Sequence, residues 1–213
     1  MVQRKEISRS VLKRLPVYLA YLKNMPDDAP AHISATALAS ALGMGEVQVR
    51  KDLALVSDGG RPKIGYLRSS LIDDIEQFLG YDNTTDAILI GAGKLGQALM
   101  AYSGFQEYGL KILAGFDAAP SEDAVQEGTP IYHISQLPAF CRVHKVLMAI
   151  ITVPAAHAQQ VCDLLIENGI KAIWNFAPTH LDVPEHILVQ NENMATSFAV
   201  LSMHLQANIK DKK

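Results

Sequence analysis

The chain has 213 residues, 49% of them hydrophobic and 19% charged, with a formal net charge of −3, which suits one large domain or two small ones with packed cores. No apolar run approaches the length of a membrane span, about 18 residues. The opening Met1-Val2-Gln3-Arg4-Lys5-Glu6 lacks the apolar stretch of a secretory signal, so the chain reads as cytosolic.

The charge is unevenly spread. Residues 1–68 hold 11 Lys and Arg against 6 Asp and Glu, whereas residues 69–213 hold 8 against 16. A positive head on an acidic body suits DNA binding, because attraction to phosphates sums over the cations of one face. The two cysteines, Cys141 and Cys162, form no CxxC and read as small buried hydrophobes rather than as a redox or metal pair.

In chain order, a first helix is expected over Val11 to Asn24, since Val11, Leu15, Tyr18 and Leu22 fall on one face. Pro16 lies inside that pattern, so the helix either starts or kinks there. Met25-Pro26-Asp27-Asp28-Ala29-Pro30 breaks the chain. Ser34 caps a short helix, Ala35 to Leu42, which Gly43 ends. A third helix runs from Glu46 to Val56. Its Val49, Leu53 and Val56 face inward, which leaves Gln48 and Lys51 outward and Arg50 at the flank.

The short Gly43-Met44-Gly45 turn between the second and third helices suits a helix-turn-helix. The third helix then lies in the major groove, with Gln48, Arg50 and Lys51 toward bases and phosphates. Gly59-Gly60-Arg61-Pro62-Lys63-Ile64-Gly65-Tyr66 follows as a hairpin, with Arg61 and Lys63 at its tip. The alternative is a three-helix bundle with a solvated basic face. A fourth helix, Leu71 to Leu79, leads to Gly80-Tyr81-Asp82-Asn83-Thr84-Thr85, a polar domain boundary.

From Asp86 onward strand and helix alternate. Ala87 to Ile90 is an apolar strand. Gly91-Ala92-Gly93-Lys94-Leu95-Gly96 then matches G-x-G-x-x-G: the first glycine for a tight turn, the second for backbone approach to a pyrophosphate, the third for close helix packing. A helix over Lys94 to Tyr102 offers its N-terminal N–H groups. A second strand, Lys111 to Phe116, ends at Asp117, whose carboxylate can accept both ribose hydroxyls and repel a 2′-phosphate, favouring NAD(H) over NADP(H). Alternatively the glycines only shape a turn and Asp117 only caps a loop. Further units are a strand Val146 to Ile151 ending at Thr152-Val153-Pro154, a helix Ala156 to Asn168, a strand Ala172 to Phe176 leading to Ala177-Pro178, and a last strand over His186 to Gln190.

No catalytic constellation is evident. Seven histidines are scattered without metal-ligand spacing, His157 near the ligand edge among them. About 110 residues complete the nucleotide fold and leave no room for a substrate domain. The closing helix, Asn193 to Ile209, carries Met194, Phe198, Leu201 and Leu205 on one stripe, widened by Ala195, Ala199, Val200 and Met203. So much apolar surface requires burial on several sides, most simply in a partner subunit.

Taken together and in order, Gln48-Val49-Arg50-Lys51-Asp52-Leu53, Gly65-Tyr66, the glycine turn, Tyr102, Gly104-Phe105, Phe116-Asp117, Thr152-Val153-Pro154 and Asn175-Phe176-Ala177-Pro178 resemble the Rex family of redox-sensing transcriptional repressors. The resemblance spans nearly the whole chain. It implies an α/β architecture: an N-terminal winged helix-turn-helix domain (1–80), a Rossmann-type doubly wound parallel sheet (81–192), and a C-terminal dimerisation helix (193–213) exchanged between subunits. It also implies a homodimer that binds palindromic operators in double-stranded DNA when the NADH/NAD+ ratio is low and releases them when NADH binds. By motif, Arg50 and Lys51 contact the operator, with Gln48, Arg61, Lys63 and Tyr66 as further DNA candidates. The turn residues Gly91, Ala92, Gly93, Lys94, Leu95 and Gly96, with Asp117, hold the adenosine and pyrophosphate part. Tyr102, Phe105, Thr152, Val153, Pro154 and Ala177 surround the cofactor, Tyr102 toward the nicotinamide.

Three departures stand out. Arg61-Pro62-Lys63-Ile64-Gly65-Tyr66 replaces the glycine- and aromatic-rich wing of many relatives. Ala20 stands where many carry arginine, and Asn193 where they carry aspartate, two charges that pair in the NADH-bound state of those relatives. A small NAD-dependent oxidoreductase with an accessory N-terminal domain is the competing reading.

Overall fold

A computed structural model describes residues 8–81, 85–120 and 124–210. It divides into two compact units, Met1–Asn83 and Thr84–Lys213. Residues 82–84 of the expected boundary segment and the opening Met1 to Glu6 lie outside the described residues.

In the first unit, α1 (Arg9–Lys23) opens on Ser8, whose hydroxyl accepts from the Val11 N–H. Pro16 lies inside α1, so the helix does not start there. The expected stripe is the core: Leu15, Tyr18 and Leu22 are 0–1% exposed. They pack against Leu38 of α2 (Ala35–Leu42), Val49 and Leu53 of α3 (Glu46–Val56), and Leu71 and Ile75 of α4 (Arg68–Leu79). The bounds of α2 and α3 agree with the sequence reading, and those of α2 are marked chemically. Ser34 Oγ accepts from the Ala37 N–H at 3.0 Å, and Gly43 turns left-handed at φ 62°. β1 (His32–Ile33) pairs antiparallel with β2 (Tyr66–Leu67), and a hairpin bridged at Arg61 and Gly65 rises between α3 and β2.

Inside this unit an ionic cluster joins α1 to α3. Arg14 donates to both carboxylate oxygens of Asp52, at 2.7 and 2.9 Å, and the Tyr18 hydroxyl donates to the same carboxylate at 2.8 Å. Asp52 is 3% exposed. Burial, and secondarily the hydrogen bond to Asp52, pushes the Tyr18 phenol up to about 12. The folded value lies above the ordinary 10, so this stabilisation is complete below pH 10 and disappears as pH rises from 10 through about 12. Urea denaturation of the full chain should therefore show stability falling more steeply across that window in wild type than in Tyr18→Phe. Equal slopes would mean that Tyr18 does not ionise with unfolding.

In the second unit seven strands form one sheet: β3 (Thr85–Ile90), β4 (Leu110–Asp117), β5 (Val125–Gln126), β6 (Thr129–His133), β7 (Met148–Ile151), β8 (Ala172–Asn175) and β9 (Leu188–Asn191), in the order β5-β6-β4-β3-β7-β8-β9. All pairs are parallel except β5–β6. Without β5, the order is the doubly wound 3-2-1-4-5-6, whose switch point lies between β3 and β7. Alternate residues of β3 enter different cores. Ile88 and Ile90 pack with Leu137 and Cys141 of α7 (Leu137–His144) and with Cys162 and Leu165 of α8 (Ala155–Glu167). Leu89 packs on the opposite face with Met100 of α5 (Lys94–Met100). The short helix α6 (Gly104–Glu107) follows α5.

Both cysteines are buried free thiols, as expected, and burial pushes the Cys162 thiol up to about 11. The last helix is α9 (Met194–Lys210). Among the described residues no helix is long and apolar enough to cross a membrane.

Candidate nucleotide cradle and nucleic-acid interface

The glycine turn sits at the switch point. Gly91 leaves β3 at φ 101°, and a Cβ there would lie 2.9 Å from Val153 Cγ1. A Cβ on Gly96 would lie 2.1 Å from the Gly91 carbonyl oxygen. Gly93 differs: a Cβ there would meet nothing within 4 Å. The outer glycines are thus required by the fold, and the middle one keeps space open. That is the shape a pyrophosphate needs, so these residues fit a dinucleotide.

Neighbouring side chains hold the turn. The Thr152 hydroxyl donates to the Gly91 carbonyl at 2.7 Å, and Gln97 donates to the Ala92 carbonyl at 2.9 Å. The Asp117 carboxylate accepts from the Ala92 N–H at 2.7 Å and from the Ala119 N–H at 3.0 Å. A cavity of about 720 Å³ opens beside them, lined by Gly91, Gly93, Asp117, Thr152, Val153 and Pro154 together with His157, Gln160 and other residues of α8. Lys94 is exposed at the start of α5, and Leu95 is half-buried.

Among the expected cofactor residues, Ala92, Lys94, Leu95 and Gly96 of the turn, and Tyr102, Phe105 and Ala177, are not part of this cavity's lining. Tyr102, 53% exposed, meets the Phe105 ring edge-on at 4.9 Å, and Phe105 meets Trp174 at 5.7 Å. Ala177 is buried in the core, its N–H donating to Asn175 Oδ1 at 3.0 Å.

On the first unit Gln48, Arg50 and Lys51 are exposed along α3, and Arg61 and Lys63 on the hairpin. Arg50 pairs with Glu46 one turn earlier, an exposed contact worth only about 0.3–0.5 kcal/mol and readily exchanged for a phosphate. Lys63 takes φ 66°, left-handed for a non-glycine residue, directly after Pro62. Gly65 is indispensable to this hairpin: φ is 89°, and a Cβ would lie 2.3 Å from the Ile33 carbonyl oxygen. Tyr66 departs from the surface contact read from the sequence. It is 9% exposed within the core cluster, and its ring tip closes on Gly60.

Residues 6–54 match a family model described as "Putative DNA-binding protein N-terminus", and residues 82–179 match one described as "CoA binding domain". The redox-sensing transcriptional repressor Rex of Porphyromonas gingivalis is 40% identical over 92% of this chain and 90% of its own length. Rex of Treponema denticola is 37% identical over 95% of this chain and 97% of its own. The chain belongs to the Rex family. Among solved structures, a 30% identical Rex-family repressor in complex with β-NAD+ and operator DNA superposes with a TM-score of 0.89, covering 98% of this chain and 97% of that one. The same repressor with β-NADH gives 0.86, covering 99% and 100%.

Two of the departures noted in the sequence can be located within their own units. Ala20 lies within α1, half-buried. Asn193 precedes α9, where its Oδ1 accepts from the Thr196 N–H at 3.2 Å, so it serves as a neutral cap. The sequence reading missed the structural roles of Asp52 and Asn175. Asp52 had a signal: it falls between Val49 and Leu53 on the inward face of α3, where a carboxylate requires a partner. Asn175, fully buried, donates to the Thr179 carbonyl at 3.0 Å and to Asn191 Oδ1 at 2.8 Å, tying the loop after β8 to β9.

Proposed function

We propose that this chain is a transcriptional repressor that reads the NADH/NAD+ balance, holding a palindromic operator when NADH is scarce and releasing it when NADH binds. The observation that carries this reading is the coexistence, in a chain related to Rex repressors over nearly its full length, of an exposed basic recognition helix and a glycine turn with room reserved at Gly93. Arg50 and Lys51, with Gln48, Arg61 and Lys63, are the operator-contacting residues; Tyr66 acts by packing the hairpin. Gly91 to Gly96 and Asp117 hold the adenosine and pyrophosphate part. Thr152, Val153 and Pro154 flank them, with Tyr102 toward the nicotinamide and Phe105 and Ala177 as further residues around the cofactor.

When bound, NAD(H) supplies a ligand whose nicotinamide is charged or neutral according to its redox state, and no hydride turnover is assigned to the protein. NADH releases DNA only by binding the DNA-incompetent arrangement more tightly, since equal affinity for both states shifts nothing. The working form is a cytoplasmic homodimer, joined through α9, because palindromic half-sites require two heads.

A gel-shift titration of operator complexes with NADH and with NAD+, run beside an assay of hydride turnover, tests the function. Release by NADH alone without turnover is expected. Turnover without selective DNA binding would favour the small oxidoreductase instead. Asp117 also sets a preference. Calorimetry should give tighter binding of NADH than NADPH by roughly tenfold or more, and Asp117→Ala should erase the difference. Equal affinities in wild type would remove Asp117 from the ribose.

A further inference from the structure

The Gln48 side chain lies against the Arg14 guanidinium. Its nearest polar atom is 2.8 Å from Arg14 Nη1 and 3.2 Å from Nε. A guanidinium has donors and no acceptor, so the atom facing it is the amide oxygen. Arg14 is itself held: Nε and Nη2 donate to the buried Asp52 carboxylate. The chain Asp52–Arg14–Gln48 therefore runs from the core of the first unit to the exposed face of α3.

We propose that Arg14 is a specificity-determining positioning residue that fixes the Gln48 amide with its oxygen inward, so that Gln48 offers a base edge only its NH₂ group. This rests on the reading of α3 as the recognition helix and deepens it. A free glutamine reads adenine with both arms, its oxygen accepting from N6–H and its nitrogen donating to N7. With the oxygen committed to Arg14, that two-armed contact is unavailable. Guanine presents two adjacent acceptors, N7 and O6, toward which two amide hydrogens can point. The guanidinium thus converts a glutamine from an adenine reader into a reader of acceptor-only edges.

The test is selection of half-sites from a randomised duplex library by the full-length protein, repeated with Gln48→Ala, Gln48→Glu and Arg14→Met, each checked for folding by circular dichroism. One position should favour guanine over adenine by about tenfold in wild type. That preference should vanish in Gln48→Ala. It should also vanish in Gln48→Glu, whose carboxylate keeps the contact to Arg14 but has no donor. In Arg14→Met the freed amide should accept adenine at that position as well as or better than guanine. Should Arg14→Met fail to fold, wild type and the two Gln48 variants decide the matter. Adenine preferred at the Gln48-dependent position in wild type, no position dependent on Gln48, the guanine preference retained in Gln48→Glu, or a wild-type pattern retained in folded Arg14→Met each overturns the inference. A chain that selects no sequence at all overturns the repressor reading too, an outcome distinct from selective binding with the wrong base.

Discussion

Gly93→Ala is expected to abolish useful dinucleotide binding while leaving the protein folded. The backbone there has φ −71°, which alanine adopts freely, and the added methyl meets nothing within 4 Å. Thermal unfolding without ligand should therefore match wild type. The methyl occupies the space through which the backbone approaches the pyrophosphate, so contacts to a charged group are lost, at about 1.5–3 kcal/mol for each hydrogen bond. Calorimetry with NADH should show affinity reduced by about ten- to a hundredfold or more. Gly91→Ala and Gly96→Ala should behave differently: each drives a Cβ into Val153 or into the Gly91 carbonyl and lowers stability before any ligand is added. If Gly93→Ala binds NADH like wild type, the reserved space serves another ligand and the cradle assignment fails.

That contrast bears on what can be read from the letters alone. The glycine pattern, the strand before it and the acid 21 residues after Gly96 all follow from local rules, and the structure places Asp117 against the Ala92 N–H as part of one turn. The bounds of α2 were legible because Ser34 and Gly43 are chemical end-marks. β6 was not: Thr129–His133 carries Pro130, and none of its residues is buried, so it has neither an apolar run nor a clean alternation. α7 was missed for a similar reason, being short and having proline in its first turn. The Arg14–Asp52 pair links residues 38 apart, and no local pattern announces the partner. Tyr66 shows the opposite failure. A tyrosine after a basic hairpin reads as a surface contact, yet the close pairing of β1 with β2 turns it into the core.

Deleting residues 193–213 is expected to make the protein monomeric and to weaken operator binding by about two to four orders of magnitude, the advantage that linking two binding heads confers. The argument begins with α9. Phe198, Leu201 and Leu205 are 71%, 67% and 59% exposed, and Val200 and Met203 beside them are 47% and 62% exposed; the Met194 side chain of the expected stripe lies outside the described residues. Among the described side chains, the sheet-core clusters contain residues of β3, β4, β7, β8 and the covering helices and none from α9. A helix apolar on so much of its circumference is unstable in water, so its cover must come from another surface. In the homodimer proposed above a second copy would supply one, and half-sites one turn apart would then require its recognition helix about 34–36 Å from the first. Sedimentation of the full and truncated chains, with gel shifts at one salt concentration, reads both consequences. A truncated chain that still sediments as a dimer, or that binds operator with full-length affinity, would make α9 a packing element of its own subunit and move the dimer contact elsewhere.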